Sequence, residues 1–367
     1  MQVKLALADR IGLNQPLPWD MLDGQGALLL RKGTVPTDRS ELAALIERGA
    51  YVDQDAYEHY RQAPQTVDPF QQWDDIYYRL GHLLRHHESE PRFVDRLTQL
   101  ATEIRALITR DADAAIFAMA RLEQSNYAIT HTLQVAVCCD IYGQFLLWKM
   151  SDRAAAIHAC LTMNIAMLDL QTALNNQLEP PTLEQREQIH NHPIHGCELL
   201  RKLGVADERW LQAIAEHHEC SDGKGYPAGL TNVSSIAELI HLADCYCALM
   251  SSRRTRGAKL PDHAARELYT KAPGKLQAVA ASMIKAFGGF PPGYFVKLAN
   301  GEIAVVVNRT ERATKPFVAT LISADGLKLA DPIQRNTADP RFAVTDAVAE
   351  TGIDVHIDPA KLFGYKD

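Results

Sequence analysis

The stretch that most constrains the fold is Glu216-His217-His218-Glu219-Cys220-Ser221-Asp222-Gly223-Lys224-Gly225-Tyr226-Pro227. It joins two adjacent histidines to a glycine-rich turn that ends in an aromatic residue and a proline. Adjacent residues of a helix point about 100° apart, so the two imidazoles suit two neighbouring ligand positions better than one. The glycines and the proline end the helix and force a tight loop. A solvated histidine pair is the alternative, but the restrictive loop beside it favours a binding site.

Length and composition exclude several classes of protein. The 367 residues are enough for two or three domains, and a hydrophobic content of 47% provides a sizeable core. The formal net charge of −7 argues against a broadly basic surface, so no DNA partner is expected. No apolar run is long enough to span a bilayer, and the N-terminus lacks the apolar centre of a signal peptide. The seven cysteines contain no CxxC pair and are typical of buried thiols in a reducing compartment, so a cytoplasmic protein is expected.

Hydrophobic periodicity predicts five segments along the chain. A small α/β module is expected at residues 1–65, and a helical linker with one apolar packing stripe at 66–111. Residues 112–288 are predicted to form a helical domain, 289–340 a small β-meander or barrel, and 341–367 a tail. The fold class is therefore mainly α, with polar residues set inside a helical bundle, which is the usual place for a bundle-core site.

Individual helices are also predicted from caps and periodicity. In the first module, Thr37 or Asp38 can cap a helix that runs to Arg48. In the helical domain, the two longest predicted helices cover 152–174 and 262–287.

Further polar residues accompany the opening stretch through the helical domain. His131, His192 and Asp244 lie in apolar helical patterns, and Arg253 and Arg256 follow the aspartate by nine and twelve residues. Together with the HHE…DGxGYP segment, these features in this order resemble the HD-GYP family of cyclic di-GMP phosphodiesterases. The resemblance covers roughly residues 112–260. It implies an HD-type helical bundle that holds two or three iron or manganese ions and uses them to hydrolyse a phosphodiester.

The resemblance assigns roles to individual positions. The residues that match the family's metal ligands are His131, His192, His217, His218 and Asp244. The loop residues Gly225, Tyr226 and Pro227 would form a binding or recognition element. Arg253 and Arg256 would meet the phosphates of the ligand.

The pair that defines the family is replaced in this chain. The pattern places Met163 where the family has histidine, Asn164 where it has aspartate and Met167 where it has lysine. Hard divalent metals use a thioether poorly, and a neutral amide cannot offset the repulsion between two bridged cations. No catalytic residue is therefore predicted, and one divalent metal, iron or manganese, is expected in place of a complete binuclear site. A hydrogen-bonded histidine cluster without metal stays open as an alternative.

Three functions follow for such a sequence. The preferred one is a cyclic di-GMP signalling protein that binds nucleotide or a partner, such as a GGDEF-type diguanylate cyclase, with little or no hydrolysis. The second is an active phosphodiesterase in which Asn164 acts as a neutral ligand. The third is a structural dimer module without nucleotide binding, and a homodimer is compatible with each of the three.

Overall fold

A computed structural model of the chain describes most of its residues: 2–4, 17, 19–34, 45, 49–54, 56, 68–122, 126–251, 257–350 and 353–366. The chain divides into two compact units, Met1–Asp75 and Ile76–Asp367. The finer division into five segments stays a prediction.

The first unit contains a small antiparallel sheet. Its strands are β1 (Gln2–Lys4), β2 (Met21–Leu22), β3 (Leu28–Leu30) and β4 (Tyr51–Asp53), in the order β1-β4-β2-β3. The carboxylate of Asp23 accepts hydrogen bonds from the backbone N–H groups of Gln25 and Ala27, which closes the Asp-Gly turn between β2 and β3. The helix predicted to begin at Thr37 or Asp38 lies, except for Leu45, outside the described residues.

Helices dominate the remainder. The first two are α1 (Pro69–Arg85) and α2 (Phe93–Arg110), separated by a 3-10 turn at His87–Ser89. The other long helices are α3 (Ala112–Arg121), α4 (Tyr127–Phe145), α5 (Met150–Thr162), α6 (Leu168–Asn176), α7 (Leu183–Lys202), α8 (Glu208–Glu216), α9 (Ser235–Met250), α10 (Pro261–Lys271) and α11 (Leu276–Phe287). The predicted apolar stripe of α2 is buried. Helix α4 is buried along almost its whole length and packs against α5 and α9, so it forms the centre of the bundle.

Two predicted helices are divided in the structure, so their predicted extents were wrong. The segment 152–174 leaves the α-helix after Thr162, and a 3-10 turn at Ile165–Met167 separates α5 from α6. The segment 262–287 is interrupted between α10 and α11, where Pro273 lacks an N–H and Gly274 adopts a positive φ of 52°. Periodicity misses the first break because apolar residues continue through it, whereas the Pro273-Gly274 pair at the second break is a turn signal that the sequence contains.

A buried ion pair links the bundle helices. The carboxylate of Asp140, on α4, is completely buried and accepts two hydrogen bonds from the guanidinium of Arg153 on α5, with N···O distances of 3.0 and 2.8 Å. Arg105, on α2, approaches the same carboxylate to 3.6 Å. This charge is therefore compensated from two neighbouring helices, as a buried carboxylate requires.

The C-terminal region forms a five-stranded antiparallel sheet. Its strands are β5 (Phe295–Leu298), β6 (Ile303–Asn308), β7 (Phe317–Ile322), β8 (Lys328–Asn336) and β9 (Val344–Val348), in the order β8-β7-β6-β5-β9. The first four strands form the predicted meander. Strand β9 lies within 341–367, beyond the predicted β segment, and pairs with β5.

The sheet is joined to the bundle by polar contacts. The guanidinium of Arg309, which follows β6, donates to the carboxylate of Asp113 on α3 at 2.5 Å. A short helix, α12 (Pro359–Leu362), completes the described chain. Of the helices in the described ranges, none combines the length and the apolarity needed to cross a membrane. The predicted fold class, a mainly α chain with an HD-type helical bundle and small sheets in its N-terminal and C-terminal regions, is confirmed.

Candidate metal centre

Three histidines converge where α7 meets the end of α8. His192 lies near the middle of α7, and His217 and His218 follow the last residue of α8. One ring nitrogen of each lies within 4.8 Å of the corresponding nitrogen of the other two. His192 and His217 are almost completely buried. The two adjacent histidines thus occupy different neighbouring positions of one cluster.

Backbone carbonyls fix the protonation of two of these rings. The Nδ1 atom of His192 lies 2.6 Å from the carbonyl of Ile189, and Nδ1 of His217 lies 2.6 Å from the carbonyl of Ile214. A carbonyl only accepts hydrogen bonds, so each Nδ1 carries the proton. The two Nε2 atoms, 3.1 Å apart, therefore present lone pairs to each other. Two lone pairs at this distance repel unless a cation or a proton lies between or beside them.

The electrostatics keep the rings neutral. Burial, followed by the neighbouring His217, lowers the pKa of His192 to about 3. Burial also lowers the pKa values of His217 and His218. A neutral imidazole whose Nδ1–H is held by a carbonyl is the form in which histidine binds metals through Nε2. The donor set therefore fits a divalent cation, which would relieve the repulsion between the facing lone pairs.

His131 and Asp244 form a second pair beside the cluster. The Nε2 atom of His131, on α4, lies 2.6 Å from the carboxylate of Asp244 on α9. Burial opposes ionisation of Asp244, but the hydrogen bond from His131 and the nearby His218 and His217 outweigh it and lower the pKa of the carboxyl group. Asp244 in turn favours the charged forms of His217 and His218. The pair lies within electrostatic reach of the cluster, although its atoms do not join the three-histidine group.

Met163 and Asn164, which the family pattern aligns with the defining pair, lie at the break after α5. Met163 is completely buried, and Asn164 precedes the 3-10 turn with its Oδ1 atom buried and without a hydrogen-bond partner among the described residues. A Cβ atom at Gly196 would lie 3.9 Å from the carbonyl oxygen of Met163. Gly196 is four residues after His192, so this segment packs on the same face of α7. Met167, at the end of the turn, is half-buried.

The loop after the histidines is held by its own backbone and by buried carboxylates. The carboxylate of Glu219, which is 1% exposed, accepts from the N–H of Ala228 at 2.6 Å and from the N–H of Leu230 at 2.9 Å. Glu216 accepts from the N–H of Ser234 at 2.8 Å, further along the same loop. Both ends of the loop are thus bound to the end of α8.

The Gly-Tyr-Pro segment folds back onto the cluster. A Cβ atom at Gly225 would lie 2.4 Å from the backbone of Glu219 and Cys220, so only glycine fits. The ring of Tyr226 stacks on His218, with centroids 4.5 Å apart, and the Tyr226–Pro227 peptide bond is cis. The loop therefore covers one side of the cluster directly.

Two predicted site residues lie outside the described residues, and two further histidines nearby do not join the cluster. Arg253 and Arg256 fall within 252–256, outside the described residues, so their assigned contact with phosphates stays a prediction. His195 is exposed, and His158 stacks on Trp210 at 4.8 Å. Asp222 accepts from the N–H of Lys224 and closes the turn, as expected for a residue of this type.

Two histidines of this region are absent from the sequence prediction. His190, on α7, stacks on Tyr226 with centroids 5.5 Å apart. His241, on α9, lies with its Nδ1 3.2 Å from the carbonyl of His217. His190 precedes His192 by two residues and His241 precedes Asp244 by three, so proximity to predicted ligands is the only signal that the sequence offers for either.

The comparisons with known proteins agree with this geometry. Residues 113–275 match the HD domain family model. The chain is 26% identical over 278 residues to the cyclic di-GMP phosphodiesterase PA4108 of Pseudomonas aeruginosa, covering 74% of this chain and 64% of that protein. It is 30% identical over 145 residues to the 3'3'-cGAMP-specific phosphodiesterase 3 of Vibrio cholerae, covering 38% of this chain and 31% of that protein. The chain thus spans less than two thirds of the length of either relative.

A solved structure shares the fold. Bd1817, described as an HDG"Y"P protein from Bdellovibrio bacteriovorus, superposes with a TM-score of 0.53 and 17% identity, covering 77% of this chain and all of that one. This similarity concerns the fold alone. The conclusion rests on the match to the HD domain model, on the two relatives and on the Gly-Tyr-Pro loop beside the histidine cluster. Residues 113–275 form an HD domain, and these matches together support the HD-GYP family for this chain.

Proposed function

We propose that this chain is a cyclic di-GMP signalling protein that binds one divalent metal, binds the nucleotide, and hydrolyses it little or not at all. The observation that carries this proposal is the facing pair of Nε2 lone pairs on His192 and His217, together with the buried Asn164 that the family pattern aligns with the bridging aspartate. The cluster has ligands for one ion. The carboxylate that would neutralise a second ion is replaced by an amide.

His192, His217 and His218 would hold this ion, and iron and manganese are the metals that the family resemblance suggests. When bound, the metal supplies a positive charge that polarises a phosphate oxygen or a water molecule. The backbone carbonyls of Ile189 and Ile214 orient the imidazoles of His192 and His217 through their Nδ1–H groups.

Hydrolysis needs more than these residues provide. An in-line displacement at phosphorus is assisted when a charged clamp stabilises both the attacking and the leaving oxygen. Met163 and Met167 contribute no charge at the positions of the family's histidine and lysine, and Asn164 contributes a neutral oxygen. This chain would therefore bind a phosphodiester without stabilising the transition state for its cleavage.

The alternative is an active phosphodiesterase. It is favoured by the names of the two relatives and by the carboxylate of Asp244, which is retained beside the cluster. The unpartnered Oδ1 of Asn164 would then complete a second metal site as a neutral ligand. The two functions differ in metal content and in turnover, so one preparation separates them.

The test combines metal analysis, nucleotide binding and hydrolysis on protein purified anaerobically under iron-replete conditions. We expect close to one iron or manganese ion per chain, measurable binding of cyclic di-GMP and no metal-dependent turnover. Changing Met163→His, Asn164→Asp and Met167→Lys together should raise the iron or manganese content towards two and create turnover. Two iron or manganese ions per chain together with robust hydrolysis by the parent protein would establish the alternative.

Phosphate recognition is proposed to involve Arg253 and Arg256. Replacing both with alanine should weaken cyclic di-GMP binding at least about tenfold, because each hydrogen bond between charged groups contributes about 1.5–3 kcal/mol. Arg201→Ala, at an exposed position on α7, is the matched control. Unchanged binding in the double variant would exclude this pair as a phosphate site, and undetectable binding by the parent protein would favour the structural module.

The Gly-Tyr-Pro loop is the proposed recognition element for a protein partner such as a GGDEF-type diguanylate cyclase. The side chain of Lys224 is 84% exposed at the tip of the loop, whereas the loop base is bound to α8. Lys224→Glu should weaken a measured complex with such a cyclase and leave metal content unchanged. Light scattering of the pure protein tests the proposed homodimer.

A further inference from the structure

Two cysteines and a histidine meet on the outer side of the histidine cluster. The Sγ atom of Cys220 lies 3.8 Å from Nε2 of His241, and the Sγ atom of Cys245 lies 3.9 Å from the same nitrogen. Both thiols are half-buried, whereas the other five cysteines are buried. Two thiols therefore converge on a single imidazole nitrogen in a region that solvent reaches.

The protonation of His241 follows from its other nitrogen. Nδ1 lies 3.2 Å from the carbonyl oxygen of His217, so Nδ1 carries the proton and Nε2 presents a lone pair to the sulfur atoms. One lone pair accepts one S–H group. Hydrogen bonding therefore satisfies one of the two thiols at most, although both approach the nitrogen at nearly equal distances. A cation that accepts electron pairs from all three atoms would satisfy the whole group.

The spacing is suitable for metal coordination. With a Zn–S bond of about 2.3 Å and a Zn–N bond of about 2.0–2.1 Å, sulfur and nitrogen ligands of a tetrahedral zinc ion lie about 3.5 Å apart. The two observed S···N separations exceed this value by a few tenths of an ångström. The two sulfur atoms lie more than 4.8 Å apart. Two Zn–S bonds of about 2.3 Å span at most about 4.6 Å, so both cysteine side chains must rotate towards the ion when it binds.

The site has room for an ion and for a fourth ligand. A cavity of about 460 Å³ lies beside it and is lined by His241 and Cys245 together with Glu267 and Lys271. The Glu267 carboxylate is paired with Lys259 and Lys271. Water can therefore provide the fourth ligand through the cavity, and no side chain outside the three needs to move.

We propose that Cys220, His241 and Cys245 form a second metal site, separate from the three-histidine cluster, for a thiophilic divalent cation such as Zn²⁺. Binding converts two thiols into thiolates and releases two protons for each ion bound, with no change of oxidation state. The two sites differ in ligand chemistry, since one presents imidazoles and the other presents two thiolates and one imidazole. The proposal does not depend on nucleotide binding or hydrolysis.

Cobalt distinguishes the two sites, because only thiolate ligands give an intense near-ultraviolet charge-transfer absorption with Co²⁺. Metal-free, reduced full-length protein is titrated with Co²⁺. We expect this absorption to saturate between one and two added equivalents per chain, since the three-histidine cluster also takes up Co²⁺, and to disappear when excess Zn²⁺ is added. The double variant Cys220→Ser/Cys245→Ser should lose it. Absence of the absorption in the parent protein, or its persistence in the double variant, would overturn the proposal.

Two further variants serve as controls. Cys197→Ser keeps a hydroxyl that can donate to the carbonyl of Leu211, as the thiol does at 3.2 Å, and should retain the absorption. His192→Gln removes a ligand of the histidine cluster and should also retain it, so failure of one metal site is distinguished from failure of the other. In the parent protein, Zn²⁺ should additionally protect two thiols from a thiol-specific reagent. No protection would count against the site even if the serine variants fail to fold.

Discussion

The carboxylate of Glu219 offers a direct test of how the Gly-Tyr-Pro loop is held. Its two oxygen atoms accept separate backbone N–H groups, from Ala228 and from Leu230, and the side chain is almost completely buried. In Glu219→Gln, one oxygen becomes an NH₂ group. In either orientation of the amide, one N–H of the loop loses its acceptor and faces another donor.

The magnitude follows from this loss. A hydrogen bond to a charged group contributes about 1.5–3 kcal/mol, and a buried donor left without a partner costs about 1–3 kcal/mol. These ranges describe overlapping effects, so we expect the free energy of unfolding to fall by about 2–4 kcal/mol. The loss should be concentrated in the loop, because the substitution leaves the helices of the bundle unchanged.

Two measurements check this expectation. Urea denaturation of parent and variant gives the change in the free energy of unfolding, provided that the dependence on urea concentration stays the same. Amide hydrogen exchange at Ala228 and Leu230 reports local opening of the loop. Glu208→Gln, at an exposed position in the first turn of α8, is the matched control and should change stability by less than about 1 kcal/mol.

The reasoning would be refuted if the free energy of unfolding of the variant lay within about 0.5 kcal/mol of the parent's and both amides kept their protection from hydrogen exchange. That result would mean that the loop is held by its backbone conformation and by the stacking of Tyr226, and that Glu219 only fills space.

Three other predictions follow from the described geometry. Gly225→Ala forces a Cβ atom to within 2.4 Å of the backbone and should lower the melting temperature and weaken metal binding, whereas Gly257→Ala, with open space around it, should not. In metal-free protein, His192 should make the free energy of unfolding depend on pH, because its pKa is about 3 when folded and about 6.5 when unfolded. Above about pH 6.5 the residue is neutral in both states, and below that pH the unfolded state gains a proton that the folded state does not. For this residue alone the free energy of unfolding should fall by about 2 kcal/mol between pH 7 and pH 5, and His192→Gln should abolish this fall in urea titrations. Asp140→Asn leaves two arginines without their buried partner and should lower the free energy of unfolding by about 3–5 kcal/mol in the same assay. The more exposed control Asp152→Asn should lower it by less than about 1 kcal/mol.

The helical fold was predictable because its signals are local. The stripe of α2, the caps of α7 and α8, and the hairpin turns of the C-terminal sheet are all encoded within a few residues. The break after Thr162 was not predictable in this way. Met163 and Ile165 are apolar, so the pattern continues smoothly through a position where the chain forms a 3-10 turn that packs against α7.

The candidate site shows the same division. His217 and His218 were identifiable because they adjoin a loop with restrictive backbone chemistry, and His192 because of its place in the family pattern. His241 and Cys245 are four residues apart on α9, so their contact follows from helical spacing, whereas the approach of Cys220 depends on how α9 packs against the end of α8. Proximity between distant segments is a property of the tertiary structure, so a single sequence contains no direct signal for it.

The tethering of the loop by Glu216 and Glu219 has a consequence for how this protein can change during evolution. The two carboxylates hold the base of the loop at Ala228, Leu230 and Ser234, whereas the exposed side chain of Lys224 takes no part in that attachment. Substitutions at Lys224 can therefore accumulate without displacing the imidazoles beneath, whereas Gly225 and Tyr226, which pack on Glu219 and His218, are constrained. The exposed surface of the loop can thus vary while the histidine cluster is inherited intact.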